Sequence, residues 1–220
     1  YKDNPEVVKS MNFYKIYEAF TEKHLKNCMD NKKLYSVEIS TQSYQTSTFV
    51  HQQMALKQIF SSSEDKFEYD EEEWTNEKIA RFGLVSFDNS NFQFLHTTIA
   101  EFFVAQFIAH KLKKSQEPEK ISELLMKILL SEEHKIVRLF LVYVMRTFEW
   151  NKSYMKKIMN LFYQSDHKNK IVFYCLSFSF ENEKNLHDFL SLLNEIVTDE
   201  NELKKLLSEK QGKTNRNALC

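Results

Sequence analysis

The apolar positions of this chain recur at helical spacing along most of its length, and they change to period two inside residues 83–112, GLVSFDNSNFQFLHTTIAEFFVAQFIAHKL. Val85 and Phe87 fall on one side of a short extended run with Leu84 on the other, and Phe92 and Phe94 share one side of the next run. Asp88-Asn89-Ser90-Asn91 lies between them, and Asp and Asn accept left-handed backbone and bond their own amides, so it predicts a turn. The pattern is a hairpin that covers a core with aromatic rings. A helix follows from Thr97 or Thr98, with Thr98 and Glu101 spaced as a capping box. Ile99, Phe103 and Phe107 form one row of that helix, Ala105 and Ala109 allow close backbone approach, and Phe102, Val104 and Ile108 fill the rest. Such a helix is buried nearly all round.

Upstream, Phe13, Ile16, Tyr17, Phe20 and His24 recur as one helical face, with Ser10 or Asn12 as its cap and an end near Asn31. The Ser/Thr/Gln-rich residues 40–48 predict a loop or linker. A second helix follows near 49–60, pairing Val50 with Met54, Ala55 with Ile59 and Leu56 with Phe60. Ser61-Ser62-Ser63 ends it, residues 64–73 form an acidic loop, and a third helix covers about 75–82. Three helices and then a two-stranded hairpin is the layout of a winged-helix domain.

Downstream, Lys111, Lys113 and Lys114 suit the negative end of the helix after the hairpin. Residues 115–119, with Pro118, form a short boundary, and helical faces then succeed one another. Ile121, Leu124, Leu125, Ile128 and Leu129 form the first, and Ile136, Phe140, Leu141, Val144, Met145 and Phe148 the second. Tyr154, Ile158, Leu161 and Phe162 follow, then Ile171, Val172, Cys175, Leu176 and Phe178. Leu186, Phe189, Leu190, Leu193, Ile196 and Val197 precede a final group of Leu203, Leu206 and Leu207. No strict repeat period is visible. The fold class expected is mainly α, a winged-helix domain with a small β-hairpin wing followed by a helical bundle or superhelical array. The expected domains are residues 1–96 (winged helix with its N-terminal helix) and 97–210 (helical), with 97–114 as a connecting buried helix and 211–220 as the start of a further repeat region.

Composition narrows the chemistry. Thirty basic and 31 acidic residues leave a net charge of −1, which supplies no field for nucleic acid or membrane. The third helix carries Glu77, Lys78 and Arg81, a modest positive charge that argues against duplex binding by the wing domain. Two Gly and two Pro suit long helices and leave no glycine-rich phosphate loop. Three scattered cysteines, Cys28, Cys175 and Cys220, fit a reducing compartment, and no apolar run reaches the length of a membrane span. The start at Tyr1 without methionine and the end at Leu219-Cys220 suggest a piece of a longer polypeptide.

Catalytic constellations are missing from the sequence. The carboxylates Glu64, Asp65, Glu68, Asp70, Glu71 and Glu72 miss the spacing and the glycine of a calcium loop. Cys175 sits on an apolar face without a marked histidine partner, and His110, His134, His167 and His187 are isolated. Asn151-Lys152-Ser153 matches a glycan acceptor by chance. His96 is different, because it stands just ahead of a helix start, where free amides and the positive dipole end favour a phosphate. The alternative is that its ring bonds a backbone carbonyl and closes the hairpin corner.

The stretch 92–108, FQFLHTTIAEFFVAQFI, resembles the segment that closes the winged-helix domain of NACHT-type (STAND) NTPases, the family that includes the NOD-like receptors. His96, Thr98, Glu101, Phe102, Ala105 and Phe107 match its pattern, while Ile99 and Ala100 stand where the family has an aromatic residue and Gln. Residues 13–20, FYKIYEAF, and the short-helix layout are similar to arthropod members that carry ankyrin repeats, and Gln211-Gly212-Lys213-Thr214 faintly resembles the opening of such a repeat. The resemblance covers 13–112 and is architectural from Ile121 onward. It implies that His96, with Thr97 and Thr98 beside it, contacts ADP, and that ADP/ATP is held by an NTPase core upstream in the same polypeptide. The chain itself lacks Walker A and B and is expected not to be an enzyme. It would be a cytoplasmic regulatory arm that controls autoinhibition and self-oligomerisation in innate immune or stress signalling, with protein partners and neither nucleic acid nor membrane. The alternative function is a non-enzymatic helical protein-interaction scaffold.

Overall fold

The computed structural model of the chain describes residues 13–30, 37–60, 75–88, 91–145, 151–168, 172 and 183–208. Expectations for residues 1–10, for the acidic loop 64–73, for Phe148, Cys175 and the face around it except Val172, and for 211–220 lie outside the described residues. The chain divides into two compact units, Tyr1–His110 with Lys135–Val144, and Lys111–His134 with Met145–Cys220. It is mainly helical, with a winged-helix-like arrangement followed by a multi-helix bundle.

The first unit begins with α1 (Phe13–Asp30), α2 (Val37–Phe60) and the short α3 (Asn76–Ala80). The serine- and threonine-rich 40–48 stretch is therefore not a loop. It is the first half of a 24-residue helix, because tertiary context overrides weak local propensity. Residues 50–56 of α2 are all buried, including His51, Gln52 and Gln53. The face of α1 is also rotated from expectation. Tyr14, Thr21 and Leu25 are buried, whereas Ile16 and Phe20 stay 47% and 48% exposed.

α3 ends where Gly83 takes φ +65, a left-handed conformation that costs glycine little. Strand β1 (Val85–Asp88) then pairs antiparallel with β2 (Asn91–Phe94), with Val85 opposite Phe94 and Phe87 opposite Phe92. Asp88 and Asn91, the two ends of the turn cluster in the sequence, face each other as the last pair of the ladder. Val85 and Phe94 are buried at the base, and Phe87 and Phe92 are half-buried toward the tip. The helix α4 (Thr97–Lys114) follows, and Ile99 to Ala105 form an unbroken buried run.

The core of this unit is aromatic. Phe102 meets Tyr14, Tyr17, Phe103 and Phe140 with ring centroids 5.2–6.1 Å apart. Phe140 belongs to α6 (Lys135–Met145) and stacks on Phe13 at 4.9 Å.

In the second unit α5 (Pro118–Leu130) precedes a 3-10 turn over Glu132–His134. α7 (Lys152–Tyr163), α8 (Glu183–Ile196) and α9 (Glu200–Ser208) complete it. α7 packs against both α5 and α8. Asn151 caps α7 by accepting the Tyr154 N–H at 3.0 Å, and Asp199 caps α9 by accepting the Asn201 N–H at 2.8 Å. Ile121, Leu124, Leu125 and Ile128 are buried in α5. Met155, Ile158, Met159 and Phe162, each 34 positions later, are buried in α7. Leu190, expected on the buried face of α8, is 39% exposed, and Leu192 is buried instead.

Candidate functional site

His96 joins β2 to α4 and is the N-cap of that helix. Its carbonyl accepts the Ile99 N–H at 2.9 Å, and its Nδ1 accepts the Thr98 N–H at 3.1 Å. Thr97 and Thr98 are thus already helical, and the capping box between Thr98 and Glu101 does not form. An imidazole nitrogen has replaced the hydroxyl as the group that satisfies a free amide. With Nδ1 accepting, the neutral ring carries its proton on Nε2. His96 and Thr97 are exposed and Thr98 is half-buried, so all three stand at the positive end of the helix dipole. Glu101, one turn further in, is only 8% exposed, and burial raises its carboxyl above the usual range although His96 pulls it down. A charged Glu101 would oppose an anion at this corner, and its burial favours the neutral form.

Beside the corner lies a second polar arrangement that the sequence did not reveal. The Phe82 carbonyl accepts from His24 Nε2 at 2.7 Å and from Cys28 Sγ at 3.6 Å, so two residues of α1 hold the end of α3. A Cβ on Gly83 would stand 3.3 Å from His24 Nε2. The one available signal was the rarity of glycine.

His51 is fully buried on α2 among the rings of Phe82, Phe94 and Phe103. Its Nδ1–H donates to the Ser47 carbonyl at 2.7 Å, and its Nε2 has no hydrogen-bond partner. Burial lowers it from 6.5 to about 4, against the Ser47 bond that raises it and with His24 that lowers it further. It is a neutral core histidine at physiological pH. Gln53, on the same helix, is also wholly buried, with neither amide atom hydrogen-bonded.

The second unit carries a regular series of polar contacts. Lys152 Nζ donates to Ser191 Oγ at 3.0 Å, Lys156 Nζ to Glu195 Oε2 at 2.6 Å, and the Tyr163 hydroxyl to Glu202 Oε2 at 2.6 Å. Each pair is separated by 39 residues. A constant difference is the mark of helices that run in the same direction, because antiparallel neighbours keep a constant sum. Lys168 completes the far end. It pairs with Glu202 and lies 4.6 Å over the Tyr163 ring, and these bonds hold the Glu202 carboxyl below its ordinary range. Behind this group Met159, Phe162, Val172, Phe189, Leu193 and Ile196 line a small apolar crevice.

Among the described residues no three His, Cys, Asp or Glu side chains come together in a way that could hold a metal ion. None of the described helices is long and apolar enough to cross a membrane. Compared with known protein families, with curated proteins and with solved structures, the chain matches none.

Proposed function

We propose that this chain is a non-enzymatic helical protein-interaction scaffold. The 39-residue series between α7 and the α8–α9 segment supports the reading best. Parallel helices joined layer to layer build an extended surface, which is how repeat arrays hold partners. In this reading His96 closes the hairpin corner as a helix cap, and no reacting group is required of it. The test is a substitution scan over exposed positions of the second unit, including Lys127, Lys157 and Asn194, with partner retention and melting temperature read together. Lost retention at an unchanged melting temperature supports the scaffold, and a scan without effect on any partner contradicts it.

A second reading rests on His96 itself. Because Nδ1 accepts the Thr98 amide, Nε2–H is the ring's donor at an exposed helix start, a geometry suited to a phosphate. The chain would then be the regulatory arm of a NACHT/STAND signalling ATPase, with His96, Thr97 and Thr98 on ADP held by the upstream NTPase core. It would govern autoinhibition and self-assembly in cytoplasmic immune or stress signalling. His96→Ala in the longer polypeptide then raises the basal oligomer fraction measured by light scattering. An unchanged mass distribution removes this reading.

A further inference from the structure

The link between α4 and α5 holds two residues in conformations that ordinary side chains avoid. Ser115 has φ 56 and Glu117 has φ 48, and among the described residues these are the non-glycine positions with positive φ. Ser115 stands just past the end of α4. Its own N–H reaches the Leu112 carbonyl at 3.2 Å, and the Gln116 N–H reaches back to the Lys111 carbonyl at 3.2 Å. Glycine is the usual residue at that helix end, and serine there carries a steric cost. Glu117 is the N-cap of α5, yet its side chain makes no capping bond.

Two contacts hold this backbone from outside. The hydroxyl of Tyr154, a residue 5% exposed on α7, donates to the carbonyl of Gln116, the residue between the two left-handed ones. Lys111, in the last turn of α4, forms an ion pair with Glu117. Tyr154 is fixed in turn by the Asn151 cap on its own amide. Burial, together with the carboxylates of Glu117 and Glu119, pushes the Tyr154 hydroxyl up to about 12, so it remains a donor through the neutral range.

We propose that Ser115–Glu117 is a latched joint, held in strained left-handed backbone by the Tyr154 hydroxyl and the Lys111–Glu117 pair. Loss of the latch lets the link relax and re-aims the start of α5. The relaxed link does not become helix. Pro118 has no N–H to continue α4 and keeps Glu117 out of the right-handed region, so the alternative backbone is extended. The joint is therefore a two-position element, and one hydrogen bond on α7 selects its position.

The test is amide hydrogen exchange on the whole chain as wild type, Tyr154→Phe, Ser115→Gly and the double variant. Exchange at Gln116 and Ile121, whose amides bond the Lys111 and Glu117 carbonyls, is compared with exchange at Leu193 in α8. Tyr154→Phe keeps the ring and removes the donor, so Gln116 and Ile121 exchange about tenfold faster while Leu193 is unchanged. Ser115→Gly slows them, and in the double variant it recovers part of the loss. Unchanged exchange at Gln116 in Tyr154→Phe, acceleration shared equally by Leu193, or faster exchange in Ser115→Gly would each overturn the proposal.

Discussion

Lys156 and Glu195 meet at 2.6 Å although 39 residues separate them, and the Lys152–Ser191 and Tyr163–Glu202 pairs repeat that separation. The relationship fixes direction as well as proximity. Continued by one turn from Lys156, it places Asn160 beside Asp199, whereas an antiparallel pair would place Asn160 beside Ser191. Cysteine trapping distinguishes the two. Asn160→Cys with Asp199→Cys cross-links readily under mild oxidation, and Asn160→Cys with Ser191→Cys does not. Reversal of that preference would remove the parallel stack.

The buried histidine gives the first unit an acid sensitivity. His51 falls from 6.5 in the unfolded chain to about 4 in the fold, so the unfolded state binds its proton first as pH drops. The stability in question is fully present above 6.5 and is lost as pH falls toward 4. The difference amounts to about 3 kcal/mol over that window. Melting curves at pH 7 and pH 4.5 should show it, and His51→Leu should flatten the acid limb. A wild type whose melting is the same at both values would contradict the assignment of a neutral core imidazole.

Gly83 is required by conformation and by space. At φ +65 an alanine is strained, and its Cβ would press on the nitrogen that donates to the Phe82 carbonyl. Gly83→Ala should cost about 1–2 kcal/mol. Urea denaturation gives the value, and a variant as stable as wild type would mean that the turn has another accessible conformation.

Gln53 runs the other way. Both of its amide atoms are buried without a hydrogen bond, a cost that an apolar side chain of similar shape avoids. Gln53→Met should stabilise the chain by about 1 kcal/mol. A destabilised variant would show that the amide has an ordered partner in solution.

Much of the architecture was legible in the sequence because hydrophobic period and turn chemistry agreed there. The alternation of Val85, Phe87, Phe92 and Phe94 around Asp88–Asn91 placed the hairpin, and the apolar density of 99–108 marked α4 as buried. What stayed hidden depended on tertiary context. Residues 40–48 look like a linker because serine and threonine are poor helix formers in isolation, yet they lie in the first half of a helix whose residues 50–56 are all buried. On α1, Ile16 and Phe20 look more core-like than Thr21, but the helix turns Thr21 inward, where its hydroxyl bonds the Tyr17 carbonyl at 2.8 Å. The candidate corner was found from position alone. Its chemistry was only half visible, since nothing in the order of residues tells which group caps α4. The 39-residue series was equally silent, because its Lys–Ser, Lys–Glu and Tyr–Glu pairs repeat no residue type across that offset.

The direct test of the scaffold account is calorimetric titration of ADP into a polypeptide extended upstream of this chain, as wild type and as His96→Ala. The account treats His96 as the cap that accepts the Thr98 amide, so it predicts that the substitution leaves the ADP titration unchanged, with a small loss of α4 stability of about 1 kcal/mol in the variant. A clear loss of ADP binding in His96→Ala would place the imidazole on the phosphate and contradict the scaffold.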